Sequence, residues 1–232
     1  MAQRITRTLL AALGFTVLAL LGCGDDKPSS AALNQKAAEV SAAASQGGEA
    51  IWASCAACHG EQGEGLQSLN APSLVNQDSW YLKRQLLNYK SGIRGAVKGD
   101  VQGAQMAAVA QGLPDEVAID AVVQHIGTLP DVPPATTVAG DPAKGRDHYD
   151  KICGACHGPG AQGNVLLNAP RLAGTDDWYL VQQYRNFGDG LRGAHADDKY
   201  GRQMQMMAQV LPDDTVIDNV FAYIQSMAIE VK

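Results

Sequence analysis

The sequence predicts an all-α protein in which one small helical domain occurs twice. Three observations carry this. The pentad Cys-x-x-Cys-His appears as Cys55-Ala56-Ala57-Cys58-His59 and again as Cys153-Gly154-Ala155-Cys156-His157. The second lies 157 − 59 = 98 residues beyond the first, and the same shift superimposes the surrounding sequence. Apolar residues recur at helical spacing, with no alternating strand pattern.

The repeat is long. Asn70-Ala71-Pro72 falls on Asn168-Ala169-Pro170, Trp80-Tyr81-Leu82 on Trp178-Tyr179-Leu180, and Arg94-Gly95-Ala96 on Arg192-Gly193-Ala194. Gln105-Met106 falls on Gln203-Met204, and Leu113-Pro114-Asp115 on Leu211-Pro212-Asp213. A self-match of this extent is a duplicated domain rather than a short solenoid unit.

Residues 1–22 read as a signal peptide. Arg4 and Arg7 precede an uncharged apolar run, Leu9 to Leu21, that is short for a membrane span. The run ends in Leu20-Leu21-Gly22-Cys23, which resembles a bacterial lipobox, so Cys23 is the expected lipidated first residue of the mature chain. An ordinary signal peptide or an uncleaved anchor is the alternative. Residues 23–46 are expected to form the lipidated N-terminus and a flexible tether, with a short helix around Ala37 to Ala44. A first domain at 47–129, a proline-rich linker at 130–140 and a second domain at 141–232 complete the chain.

Each domain is predicted to hold about three helices. The first runs from Gly47 into Cys55, and from Gly145 into Cys153. The second contains Ser79 to Tyr89, and Asp177 to Phe187. The third starts after Leu113-Pro114-Asp115-Glu116 and after Leu211-Pro212-Asp213-Asp214, where proline and acids mark a first turn. Ala118, Val122, Ile126 and Leu129, like Val216, Val220, Ile224 and Met227, follow helical spacing. Domains of this size are marginal on a protein core alone.

The pentads supply the missing core. Cys-x-x-Cys-His is the attachment signature of c-type haem. Two thiols, Cys55 with Cys58 or Cys153 with Cys156, add to the haem vinyl groups, and His59 or His157 reaches the iron. Two covalent haem c groups are expected. The first half has one methionine after its pentad, Met106, whose counterpart is Met204; Met206 and Met207 fall on Ala108 and Val109. A thioether opposite histidine raises the reduction potential of haem iron. Core packing is the alternative role for both methionines.

Of five cysteines, four belong to the pentads and Cys23 remains. The formal charge is −6, and removing Arg4 and Arg7 with residues 1–22 makes it −8. Such a balance excludes nucleic acid as a partner, so membrane contact is expected through acyl chains. His125, His148 and His195 fall on Tyr223, Ala50 and Val97 and read as ordinary residues. Trp80-Tyr81 and Trp178-Tyr179 could meet the haem edge or serve as core aromatics. Arg94 and Arg192 could pair with a propionate, cross between domains, or lie solvated in their loops.

With these residues in view, the chain resembles a class I cytochrome c twice over, over residues 47–232. The tandem arrangement is similar to the dihaem cytochrome c-four type. The resemblance implies a helix crossing at Gly47 and Gly145, with Ile51 and Tyr149 as bulky partners. It places Tyr223 on the last helix, where His125 is a departure. It also implies that the carbonyls of Pro72 and Pro170 accept a proton from the ligand histidines. The function it implies is electron transfer without bond chemistry, at the periplasmic face of a bacterial membrane. The protein would serve as a carrier or as a subunit of a respiratory complex. Expected partners are a terminal oxidase, a quinol–cytochrome c reductase or a dehydrogenase. The alternatives are a haem enzyme such as a dihaem peroxidase, which needs an open iron position, and a structural zinc protein.

Overall fold

The computed structural model describes residues 30–227. Cys23 and residues 1–22, the expected signal peptide, lie outside the described residues. The segment Ala38–Lys232 forms one compact unit that contains both halves of the repeat. Among the described residues the protein is helical without a sheet; the only β contacts are isolated bridges, Leu66 with Ala71 and Asn164 with Ala169. No described helix is long and apolar enough to cross a membrane.

Among the described residues each half has four α-helical segments rather than three, counting the pieces of the second half's first helix as one. In the first half they are α1 (Ser30–His59), α2 (Ser79–Lys90), α3 (Val101–Gln111) and α4 (Glu116–Ile126). Where a tether with a short helix near Ala37 to Ala44 was expected, α1 is continuous from Ser30, through an alanine-rich stretch of high helix propensity that no proline interrupts. In the second half the first helix comes in three pieces. α5 (Pro142–His148) leads through one π-helical turn, Tyr149–Cys153, into α6 (Gly154–His157). Then follow α7 (Asp177–Gly188), α8 (Lys199–Met207) and α9 (Asp214–Gln225).

Of the unforeseen helices, α3 has a weak amphipathic pattern and α8 a pronounced one, and both have clear starts. Asp100 Oδ1 accepts from Gly103 N and Asp198 Oδ1 from Gly201 N, each at 2.9 Å. Such caps satisfy amides that the first turn leaves without partners. Asp115 and Asp213 cap α4 and α9 in the same way, each accepting at 2.9 Å from Ala118 N or Val216 N. The expected apolar stripe is then buried: Val122, Val220 and Ile224 are 1% exposed.

The helix crossing corrects one expected register. A Cβ on Gly145 would lie 1.9 Å from the Asn219 carbonyl oxygen, so α5 crosses α9 there as expected. In the first half the crossing residue is Gly48, not Gly47. A Cβ on Gly48 would lie 2.2 Å from the Ala121 carbonyl oxygen, whereas one on Gly47 meets nothing within 4 Å. Trp52, not Ile51, is the bulky partner, with its ring centroid 6.1 Å from His125; Tyr149 sits 5.7 Å from Tyr223. The cause is the π turn. It accommodates one extra residue between crossing glycine and pentad, 153 − 145 = 8 against 55 − 48 = 7. Hence Gly48→Ala should destabilise the protein by about 2–3 kcal/mol through overpacking. Gly47→Ala should be neutral or mildly stabilising through helix propensity. Denaturant unfolding of both variants checks the register.

The linker is tied down by two acids. Asp176 accepts from Ala135 N and from Ser73 N in the first half, both at 2.8 Å. Asp177 is fully buried and accepts from Thr137 N, Thr137 Oγ1 and Val138 N at 2.7–2.9 Å. Asn76 donates to the carbonyls of Val132 and Gly174. These bonds satisfy linker backbone groups that no regular element covers, and they hold the halves together.

Candidate functional site

Each half encloses an apolar cavity. Cys55, Cys58, His59 and Met106 line the first, and Cys153, Cys156, His157 and Met204 the second. The residues selected from the repeat thus converge twice, through different segments. The pentad ends the first helix, and the methionine comes from α3 or α8. Both thiol pairs are free. Cys58 and Cys156 are exposed while Cys55 and Cys153 are half-buried. Burial raises the Cys55 and Cys153 thiols, Cys153 to about 11, so both are protonated in the bare polypeptide. Two thiols at the edge of an apolar slot, with an imidazole inside and a thioether lining it, fit a covalent haem c in each half. Among the described residues no cluster of three or more His, Cys, Asp or Glu is placed to hold a metal ion, so the zinc alternative has no site there.

The histidines are held in one tautomer. His59 and His157 are 5% exposed, and their Nδ1 atoms lie 2.8 Å from the carbonyl oxygens of Pro72 and Pro170. A carbonyl only accepts, so Nδ1 carries the proton and Nε2 keeps its lone pair. Burial lowers both pKa values, with the proline hydrogen bonds opposing it. The proline loop can pass this close because Gly65 and Gly163 sit at φ 82° and 84°. A Cβ on Gly65 would lie 2.4 Å from Ser73 N.

One wall is common to both cavities. Gln77, Tyr81, Gln85, Thr175, Tyr179 and Gln183 line the first and the second alike. Arg94 and Arg192, 7% and 8% exposed, cross this wall. Arg94 donates to Gln85 Oε1 and Gln183 Oε1 at 2.8 Å each and to Tyr179 Oη at 3.0 Å. Arg192 donates to Tyr81 Oη at 2.6 Å and to Gln183 Oε1 and Gln85 Oε1 at 3.0 Å each. The pattern is two-fold symmetric and joins the halves. Burial opposes ionisation of Tyr179, but the Arg94 and Arg192 charges outweigh it and lower its pKa. Both guanidiniums bond only neutral groups; among the described residues neither forms an ion pair. The nearby buried Asp100 is engaged in capping α3.

This settles several alternatives. Arg94 and Arg192 cross the interface instead of lying solvated. Tyr81 and Tyr179 belong to the shared wall, while Trp80 and Trp178 line neither cavity. Trp80 instead lies under the Arg84 guanidinium, 4.8 Å away. His125 packs against Trp52, and His195 lies in an exposed loop beside Asp197. Gln85 and Gln183 were missed by sequence reasoning. The signal was present: they coincide under the 98-residue shift, inside a helix whose other repeated positions are aromatic or apolar except Asn88 with Asn186.

Comparison with known proteins agrees with this geometry. The family described as cytochrome c matches twice, at residues 45–130 and 142–228. Cytochrome c4 of Azotobacter vinelandii is 30% identical over 171 residues, covering 70% of this chain and 80% of that protein. The thiosulfate dehydrogenase electron acceptor of Stutzerimonas stutzeri is 30% identical over 172 residues, covering 70% and 74%. Among solved structures, reduced recombinant cytochrome c4 from Pseudomonas stutzeri has a TM-score of 0.62 at 25% identity. That match covers 79% of this chain and 98% of the other. With two cavities, two attachment pentads and two family matches, the chain belongs to the cytochrome c family as a class I, tandem dihaem protein that transfers electrons.

Proposed function

We propose that this protein is a membrane-tethered carrier that moves electrons between a dehydrogenase or quinol–cytochrome c reductase and a terminal oxidase at the periplasmic face of a bacterial membrane. The observation that carries it is the matched ligand set: His59 with Met106, and His157 with Met204, each pair lining one cavity. The haem iron, when bound, supplies a centre that changes oxidation state by one electron. The residues do the rest. The Pro72 and Pro170 carbonyls orient the imidazoles and raise their basicity through the far ring nitrogen. Met106 and Met204, which line the same two cavities, would supply the second iron ligand in each half and so leave no position for a substrate, which disfavours a peroxidase. Arg94 and Arg192 place two positive charges in the wall between the cavities, where ionised haem propionates would balance them.

The similarity to a thiosulfate dehydrogenase electron acceptor supports a dehydrogenase as donor. The resemblance of Leu20-Leu21-Gly22-Cys23 to a lipobox supports tethering, since acyl chains bind at about 0.8 kcal/mol per buried methylene. The test uses native membranes and purified oxidase. The wild type should sediment with membranes, and its reduced form should reoxidise rapidly on adding oxidase. The Cys23→Ser variant should carry both haems in the soluble periplasm. Sustained peroxide turnover with stoichiometric carbon monoxide binding would instead indicate the enzyme.

The methionines have their own check. Met204→His should lower one reduction potential and remove half of the methionine–iron charge-transfer band, because imidazole donates more strongly than thioether. An untouched band in this variant, with loss in Met206→His or Met207→His, would shift the ligand by two or three residues.

A further inference from the structure

The two halves share a fold but not a surface. Around the second cavity Val165, Leu166, Leu167, Met206, Met207 and Val210 are 58, 88, 48, 67, 37 and 44% exposed. Under the 98-residue shift their counterparts are Gln67, Ser68, Leu69, Ala108, Val109 and Gly112. The first half keeps Leu69 and Val109 exposed at its own mouth, but it builds the same helices and a like cavity with Gln67, Ser68, Ala108 and Gly112 at the other four positions, so the fold does not require the full apolar set. We propose that the mouth of the second cavity is a docking face for a redox protein that presents an uncharged, apolar patch around its own redox centre.

Placement supports this. Leu167, Met207 and Val210 line the second cavity together with Cys156, whose exposed thiol marks its opening. Val165, Leu166 and Met206 extend the same segments outward. Val165–Leu167 is one 3-10 turn with no buried residue, so its side chains contribute little to the core. It is nevertheless held rigid. Asn164 Oδ1 accepts from Leu166 N at 3.0 Å and from Leu167 N at 3.3 Å, whereas Leu66 in the first half provides no such cap. A preorganised apolar turn loses little entropy on binding. Methionines beside it adapt to different surfaces, as suits a transient contact.

Charge identifies the partner's chemistry. Residues 158–170 and 203–212 contain no Asp, Glu, Lys or Arg, although the chain carries a formal charge of −6. A cationic ring, the usual complement of an acidic carrier, finds no acid on these segments. A lipid surface fits less well, since a membrane over this mouth would seal the cavity from other proteins.

The inference rests on the carrier reading and is tested with the holoprotein and purified terminal oxidase. Oxidation kinetics are read together with binding to immobilised oxidase. The double variant Leu166→Gln with Met206→Gln should raise KM and weaken binding about tenfold, equivalent to about 1.4 kcal/mol, with kcat unchanged. Leu69→Gln, at the first mouth, should have little effect. The wild-type KM should change little between low and physiological ionic strength. An unaffected double variant, or a KM that climbs steeply with salt, overturns the docking face. So does wild-type binding to phosphatidylcholine–phosphatidylglycerol vesicles that the double variant loses, or wild-type self-association on sedimentation that it abolishes. Failure of the wild type to react with the oxidase at all is a different result: it sinks the carrier reading, and the docking face with it.

Discussion

Replacing Cys55 and Cys58 with alanine should leave a protein with one haem, attached in the second half, and with the first half largely unfolded. The asymmetry follows from how the cores are built. The second half has one continuous core cluster that runs from Tyr149 through Leu180, Tyr184 and Phe187 to Val220 and Ile224. The first half has two separate ones. Trp52, Val75, Val122 and Ile126 form one, and Tyr89, Ala107 and Ala110 the other. Members of both line the cavity between them. A porphyrin that buries on the order of 300 Å² of apolar wall contributes about 7 kcal/mol, comparable to the whole net stability of a domain this small. Mass spectrometry should count one haem adduct, and far-UV circular dichroism should show a marked loss of helix. The reciprocal Cys153→Ala with Cys156→Ala variant should lose its haem but less of its helix. Equal helix loss in the two variants would show that the divided core is not what makes the first half dependent.

Arg94→Leu should destabilise the holoprotein by about 2–4 kcal/mol and lower at least one reduction potential. The first effect comes from the buried wall: Tyr179 Oη loses its guanidinium donor, Gln85 and Gln183 keep only the weaker bonds from Arg192, and an unsatisfied buried acceptor costs about 1–3 kcal/mol. The second follows from charge. A cation near the iron favours the reduced, less positive state, so its removal favours the oxidised one. Arg94→Lys separates the two. It keeps the charge but not the planar fork, so the potentials should hold while much of the stability is lost. Denaturant unfolding and a redox titration of each variant provide the readouts. Potentials unchanged in Arg94→Leu would mean that its charge does not reach either iron.

The pentads, the methionines at one spacing and the apolar stripes of α4 and α9 are periodic or covalent signals, so they were legible in one dimension. So was the proline loop: the 2.8 Å approaches of Pro72 and Pro170 to the histidines match the expected positions. α3 escaped because its alanine-rich run has almost no amphipathic pattern, which leaves the Asp100 cap as its clear marker. α8 was legible: it has an apolar face as well as the Asp198 cap, and the 98-residue shift carries that signal back onto α3. The crossing at Gly48 escaped because a gapless repeat hides a π turn: one residue is added to the helix with no change in the length of the repeat.

By itself, the sequence determined the chemistry of the two sites and the duplication that holds them, because covalent attachment needs fixed residue types at fixed local spacing. Only the tertiary structure decided what lies between and around the sites. Arg94 and Arg192 look like loop residues until the halves pack and bury them against Gln85, Gln183, Tyr81 and Tyr179. Leu166 and Met206 look like core residues until the fold leaves them outside. In each case the deciding term is desolvation, which for the arginines depends on contacts between segments about 100 residues apart and in neither case has a signature in local spacing.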